Sequence, residues 1–464
     1  MRFAVPTTLL LLFVSYASLP LAAPAQQPSR QPERLAEVYR EDANRLIDAA
    51  LADQDAYDRL TELVDRFGHR FSGSESLERA LDWILAEMEK DGLENVRGEP
   101  VLVPHWVRGE ESLELVLPRR EKLPMLGLGG SVGTPPEGIG AEVLVVSSFD
   151  ELENRRDEVP GKIVLLNAPF TSYGQTVTYR VLGAVAAARH GAVASLIRSV
   201  TPFSMRTPHT GQMRYDPNVP QIPHAAITLE DADMLARMQA RGEEIEVVLK
   251  MEAETLPDVL SRNVMAEVVG WEHPEQVVVL GGHIDSWDVG QGAMDDGGGS
   301  VAAWEAVRLI KDLGLRPRRT IRVVLWTNEE NGLRGGRAYR DMHQDELKDH
   351  ILAMESDGGV FKPYGFGFTG SEKAYRILRE IGTLLDRIGA GRITRGGGGA
   401  DIGPIMRDGV PGMGLRVDGE KYFWYHHTEA DTIDKLDPGE MAECVAAMAV
   451  MAYVVADMPE RLPR

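Results

Sequence analysis

Apolar residues recur at three- to four-residue spacing between about Glu37 and Lys90, as at Leu46, Ala50, Leu60, Leu63 and Val64. That period predicts a mostly helical stretch. Gly68 and Phe71-Ser72-Gly73-Ser74 interrupt it. Residues 95–117 read as extended. From about 118 to 254 the texture changes. Short apolar runs at Ala141–Val146 and Lys162–Leu166 alternate with Pro/Gly turns, an Ala-rich helix is predicted near Leu182–His190, and a strand is predicted at Ala192–Ile197. After Arg262 strands and helices alternate. Strands are predicted at Val277–Leu280, Thr320–Trp326 and Ile351–Met354, and helices at Gly299–Leu313 and Glu372–Leu385. A last helix opens at Asp437-Pro438-Gly439-Glu440, which supplies an N-cap, a proline at the first helical position and a capping-box glutamate.

This alternation predicts an α/β fold: a three-layer sandwich with a mainly parallel mixed sheet covered on both faces. Residues 118–254 are expected to form an inserted β-rich domain, with residues 26–117 and 255–464 making one domain around it. Residues 26–35 are a Gln/Pro/Arg-rich lead-in. Residues 1–25 read as a signal peptide: Arg2 is the positive region, Leu9–Val14 the centre of the apolar run, and Leu21–Ala25 holds small-residue cleavage patterns. The expectation is a soluble exported protein, periplasmic or secreted, with no membrane span.

Composition narrows the chemistry. The 464-residue chain carries 71 Asp and Glu against 50 Lys and Arg, a net charge of −21. An acidic surface repels phosphate backbones, so no nucleic-acid partner is expected. With Cys444 the single cysteine, neither an intrachain disulfide nor a cysteine-rich zinc site is available. Any metal has to be held by His, Asp and Glu.

Such residues gather where strands end. Gly281-Gly282-His283-Ile284-Asp285 follows one predicted strand, and Asp295-Asp296 precedes a helix. Asn328-Glu329-Glu330-Asn331 follows the next strand, and Glu355-Ser356-Asp357 the one after. A late loop, Tyr425-His426-His427-Thr428-Glu429-Ala430-Asp431, adds imidazoles. In open α/β sheets ligands bind outside the carboxyl ends of the strands, so these groups should converge. Imidazole and carboxylate are good zinc ligands, and a buried carboxylate cluster without cations is costly. Two zinc ions would balance three ligand carboxylates and a bridging hydroxide, leaving one glutamate as a base.

The ordered set resembles the co-catalytic zinc exopeptidases of peptidase family M28, and more closely its carboxypeptidase Q branch. The supporting strings are Ser195–Ser199, Pro208–Gly211, Ile284–Gly299, Phe368–Lys373 and Tyr453–Met458. The middle module resembles a protease-associated domain. The resemblance implies that His283, Asp295 and Asp357 hold one zinc, and that Asp295, Glu330 and His427 hold the other. His427, rather than His426, fits the motif because it directly precedes Thr428, four residues ahead of Asp431. The resemblance also makes Glu329 the general base, Asp285 the carboxylate that orients His283, and the Asp295–Asp296 peptide cis. It implies hydrolysis of small peptides, most simply dipeptides with free termini, by metal-bound hydroxide. An aminopeptidase on longer peptides or an amide deacylase is the alternative, and a homodimer is suggested. Gly396–Gly399 with Asp401 matches a loop near the substrate pocket, and Tyr422 or Tyr425 is a candidate oxyanion donor.

Rival motifs are weaker. Gly129-Gly130-Ser131-Val132-Gly133 has the form of a nucleophile elbow, but Thr134-Pro135-Pro136 cannot open the helix an elbow needs. His343 through His350 lacks zincin spacing and reads as a solvated helix face. Cys444 among Met441, Val445 and Met448 reads as a buried core thiol.

Overall fold

A computed structural model describes residues 34–52 and 54–464, together with Met1, Phe3 and Ala4. The expected signal peptide lies outside the described residues, those three apart. The helical period near the start resolves into helices Arg40–Ala52, Asp55–Phe67 and Glu75–Lys90. Ser74 caps the third by accepting a hydrogen bond from the Leu77 N–H.

Eight strands form a first sheet, in the order Glu94–Val107, Glu254–Val268, Arg319–Trp326, His273–His283, His350–Glu355, Gly412–Val417, Pro363–Thr369 and Arg392–Arg395. The sheet is mixed. The central strands run parallel, in the registers Leu280↔Val323 and Leu280↔Met354, while the flanking Glu94–Val107 and Glu254–Val268 pair antiparallel. Alternate residues of the central strands serve different layers. Val278, Leu280, Ile321 and Val323 face a core shared with Gly298–Asp312 and the last helix, whereas Val277, Val279, Val324 and Trp326 face a smaller core with Tyr339 and Ile405. Burial on both faces explains why these strands read as unbroken apolar runs.

The last helix, Pro438–Asp457, starts as expected, with Asp437 accepting from the N–H groups of Gly439 and Glu440. Contrary to the sequence reading, its length and mean hydropathy of 1.5 would suffice to cross a membrane. That window is 83% buried inside the protein, and an all-round apolar helix of this kind is the central helix of a large core. Cys444 lies within it, buried.

Residues 111–251 supply a second eight-stranded sheet, in the order Glu121–Leu123, Glu111–Leu117, Glu246–Met251, Ile139–Val146, Ile163–Leu166, Ala194–Arg198, His224–Ile227 and Met125–Gly127. Its helix Tyr173–Ala188 begins nine residues before the expected start at Leu182. Polar Thr176 and Arg180 lie on the buried side of its first turns, which hid that part of the helix from an apolar-period reading. Both sheets belong to one compact body, residues 35–464.

Candidate metal centre

Three parallel strand ends and one loop bring the acidic residues together. His283 is the last residue of its strand, Glu329 and Glu330 follow Trp326 by a short turn, and Asp357 lies two residues beyond Glu355. The turn before Glu329 is made by Asn328 in the left-handed region, φ 63°, a conformation asparagine tolerates well. Gly299 permits the close approach that opens the helix, since a Cβ there would lie 2.1 Å from the Ser356 carbonyl. The Asp295–Asp296 peptide is cis.

Asp295 is the hub. His283 Nε2 lies 3.3 Å from its Oδ1, and His427 Nε2 lies 3.4 Å from its Oδ2. His283 Nε2 is also 3.5 Å from Asp357 Oδ1, and His427 Nε2 is 3.0 Å from Glu330 Oε2. The structure thus gathers His283, Asp295, Asp357, Glu330 and His427 in one place. It adds two neighbours. His426 Nε2 lies 3.5 Å from Asp295 Oδ2 with its ring stacked on His427, and Asp296 joins His283 and Asp357 within 4.8 Å. Asp296 is spent on the backbone, accepting from the N–H groups of His283 and Gly299. Asp295 Oδ2 and Glu330 Oε1, by contrast, are buried acceptors with no hydrogen-bond donor. Buried carboxylate oxygens without donors, facing imidazole nitrogens, are what a bound cation would complete.

The titration of the centre agrees. Burial pushes Glu330 up to about 7, helped by the Asp295 charge and opposed by His427. Burial lowers His427, but Glu330 and Asp295 carry it up to about 9. Burial likewise opposes the charged form of His283, yet Asp295 and Asp357 hold it well above the imidazole range. Glu329 is raised well above the usual carboxyl range by burial and by Asp357, Glu330 and Asp285.

Asp285 does different work from that expected. The hydrogen bond from His283 Nδ1–H goes to the Asp285 backbone carbonyl, at 2.9 Å, while the carboxylate stands 3.8 Å away. That carboxylate instead accepts from the N–H of Glu329 at 3.0 Å and of Glu330 at 3.4 Å. It fixes the glutamate pair rather than the imidazole. Asp431 does the same for the hub, accepting from the N–H groups of Met294 and Asp295.

Three features escaped sequence reading. Buried Arg70 donates to the carbonyls of Ile284, Gln291 and Gly292, and so shapes the loop that leads to Asp295. The segment carrying His426 and His427 is held from the second sheet: His209 Nδ1–H donates to the His426 carbonyl at 2.7 Å, Thr210 N–H to the His427 carbonyl at 3.0 Å, and Thr201 Oγ–H to the Phe423 carbonyl at 2.5 Å. A cleft of about 360 Å³ opens over Asp295, Glu329, Glu330 and Asp357, and its other walls include Tyr173, Arg180, Arg214 and Arg337. Tyr422 lines this cleft and Tyr425 does not. Gly397–Gly399 line a separate pocket, and Asp401 is buried beside Ile402, whose N–H donates to the Glu355 carboxylate at 2.9 Å.

The rival motifs dissolve. Ser131 is fully buried, accepting from the His224 N–H and donating to the Val132 carbonyl. In the His343–His350 segment Gln344, Asp345, Glu346 and Lys348 are exposed, but the two imidazoles are buried, paired to Glu99 and to the Tyr339 hydroxyl.

Comparison with known proteins decides the family. The model of peptidase family M28 matches residues 263–452. Carboxypeptidase Q of Xenopus laevis is 50% identical over 467 residues, covering 98% of this chain and 100% of that protein. The chain belongs to peptidase family M28. As such it is a metallopeptidase. The crystal structure of an M28 peptidase precursor from Shewanella amazonensis superposes with a TM-score of 0.89 at 36% identity, covering 92% of this chain and 99% of that one. A zinc aminopeptidase from Bacillus subtilis shares the fold at 20% identity, with a TM-score of 0.66, covering 88% of this chain and 96% of that one.

Proposed function

We propose that this M28 peptidase is an exported di-zinc exopeptidase that hydrolyses small peptides, dipeptides with free termini above all. The observation that carries the reading is the convergence of His283, Asp295, Asp357, Glu330 and His427 around donorless buried carboxylate oxygens at the floor of one cleft. His283, Asp295 and Asp357 would hold one ion. Asp295, Glu330 and His427 would hold the second, with Asp295 common to both sets. The metal is taken as zinc because imidazole and carboxylate suit it and because a relative of the same fold is a zinc aminopeptidase. The second sheet is read as a protease-associated-like insert and the leader as an export signal. As in the family, the assembly is taken to be a homodimer.

When bound, zinc supplies Lewis acidity toward the scissile carbonyl and toward water. The chain supplies the rest. Glu329 takes a proton from water and delivers it to the leaving amine. Its backbone is pinned by the Asp285 carboxylate, so the base and the ligand Glu330 keep a fixed relation. His283 keeps Nε2 free because its Nδ1–H is committed to the Asp285 carbonyl. His427 is oriented in the same way, its Nδ1–H lying 3.3 Å from the Thr210 carbonyl.

The test is elemental analysis paired with a panel of dipeptides and longer peptides, before and after chelation. About two zinc ions per chain, with dipeptide cleavage lost on chelation and restored by zinc, is the expected result. Cleavage confined to longer peptides would move the function to aminopeptidase, and no metal with no cleavage would overturn the reading.

A further inference from the structure

Buried guanidinium groups are costly unless their donors are met, and this chain shows two ways of meeting them. Arg322 is paired with Glu267 at 2.6 Å, and Arg108 with Asp288 at 2.6 Å. Arg70 has no carboxylate partner but is wrapped in backbone carbonyls. Arg180 has neither. It is 6% exposed, its Nη2 donates to the Tyr173 hydroxyl at 2.9 Å, and its Nη1 donates to the Thr210 carbonyl at 3.3 Å and lies 3.5 Å from His427 Nδ1. Its Nε is buried with no acceptor, and no carboxylate among the described residues forms an ion pair with it. Its position is nonetheless fixed. Gly211, at φ 138°, leaves the space the guanidinium fills, since a Cβ there would lie 2.3 Å from Nη1.

This unsatisfied cation lines the cleft over the metal centre. Arg214 and Arg337 line the same cleft, with no side-chain partner among the described residues. The cleft therefore has an acidic wall, where the proposed metals sit, and a basic side to which the second sheet gives Arg180 and Arg214 and the helix Arg334–Met342 gives Arg337. The separation is short. Arg180 Nη1 lies 3.5 Å from Nδ1 of His427, whose Nε2 faces Asp295 and Glu330. Nδ1 and Nε2 stand on opposite sides of the ring, so the guanidinium is one imidazole width further from the acidic wall, a distance that one extended residue of about 3.3–3.6 Å and a hydrogen bond of about 2.9 Å together bridge from a carbonyl held there.

We infer that Arg180 binds the free C-terminal carboxylate of the substrate and thereby confines cleavage to the last peptide bond of a short peptide. The inference rests on the exopeptidase reading and gives it a specificity residue. The substrate carboxylate meets the terminal Nη protons that Tyr173 and Thr210 leave over, in the planar geometry for which arginine is suited. Arg214 and Arg337 add positive potential that draws the anion into an otherwise acidic protein.

The experiment compares three substrates on the metal-loaded enzyme: a dipeptide, the same dipeptide as its C-terminal amide, and an amidated dipeptide ending in glutamate. Wild type should favour the free acid over the plain amide by on the order of 100-fold in kcat/KM, mostly through KM, because the amide leaves the guanidinium unpaired. R180Q should bring that ratio to within a few-fold, and R180K should fall between. Y173F, which removes one anchor of the guanidinium but keeps the charge, should lower the ratio by less than R180Q, and it supplies the test if R180Q does not fold. A ratio unchanged in R180Q would overturn the inference. So would equal cleavage of acid and amide by wild type, or cleavage of the glutamate amide as fast as the free acid, which would make this a side-chain site. If wild type cleaves none of the three, the peptidase substrate reading fails first. Titration calorimetry of the acid and plain amide as ligands then decides Arg180 separately: tighter binding of the acid that is lost in R180Q supports it, and equal affinities overturn it.

Discussion

The acidic wall of the cleft and its basic wall are built from different parts of the chain and held by different means. The acidic wall sits on the carboxyl ends of parallel strands, where backbone N–H groups pin carboxylates directly: Asp285 under Glu329 and Glu330, Asp431 under Asp295, and Asp296 under His283. The basic wall comes mainly from the helix Tyr173–Ala188 and the loop around Thr210, on the second sheet, which reach the centre through carbonyls of the 422–427 segment, while Arg337 is added by the helix Arg334–Met342 that follows the glutamate pair. One wall places charge by topology and the other by contact. The first should therefore fail all at once when a hub is lost, and the second by degrees.

The largest effect should come from the hub. D295N removes the charge that faces both His283 and His427, and is expected to abolish uptake of both metals and to lower activity below detection. Metal titration of the variant checks this, and two ions still bound would mean that the two metal sites do not depend on a shared Asp295. E329Q is the next step down. It leaves every proposed ligand in place, so metal content should stay at the wild-type value while kcat falls by about 10²–10⁴, the range for a lost general base. Near-normal turnover would remove Glu329 from the mechanism.

How much of this was legible depended on the wall. The carboxylates and His283 stand at predictable strand ends, so their convergence followed from the βα alternation and a family resemblance. The three-layer sheet was readable for the same reason, since doubly buried strands write themselves as apolar runs such as Val277–Leu280. The cross-sheet contributions were not readable. Nothing in the spacing of His209, Thr210 or Arg180 says which carbonyl each will meet, because those contacts join residues about 217 to 247 apart in sequence. The expectation for Asp285 went astray on a matter of atoms: backbone and side chain of one residue divided the two tasks. The His343–His350 segment misled because its polar residues pair with Glu99 and Tyr339 from outside the local pattern.

The metal-free acidic wall should respond to pH with a definite sign. His427 is raised in the folded protein to about 9, so the stability it contributes is complete below its unfolded value, near 6.5, and is lost as pH rises through 9. Glu330, raised to about 7, acts in the same direction from about pH 4.5 upward, because the folded state holds its proton longer than the unfolded state does. The two groups form one interacting pair, so their contributions are not summed. Chelated protein should lose a few kcal/mol of stability between pH 6 and 9.5, seen as a falling Tm, while metal-loaded protein should not. Zinc binding near neutrality should also release protons, measurable by calorimetry in buffers of different ionisation enthalpy. A Tm of the chelated form that rises over this range would contradict the electrostatics of the wall.

The smallest effect should come from the clamp, and it tests the contrast most directly. His209 touches no proposed ligand atom. Its Nδ1–H holds the His426 carbonyl, next to His427, and burial lowers its own pKa to about 3, so it stays neutral and its hydrogen bond does not depend on physiological pH. The residue is itself seated by Ser199, whose hydroxyl accepts the His209 N–H and donates to the Ile227 carbonyl. Removing the clamp in H209A leaves Thr210 N–H on the His427 carbonyl and Thr201 on the Phe423 carbonyl, so the loop loosens rather than collapses. Metal affinity at the His427 side should fall by about 10-fold, the low end for loss of a group that orients a ligand, with the ion held by His283 and Asp357 unaffected. Chelator competition resolves the two ions, and H209N, whose amide N–H can reach the same carbonyl, should recover part of the loss. Equal weakening of both ions would show that the second sheet supports the whole centre, and the division between a wall set by topology and a wall set by contact would not hold.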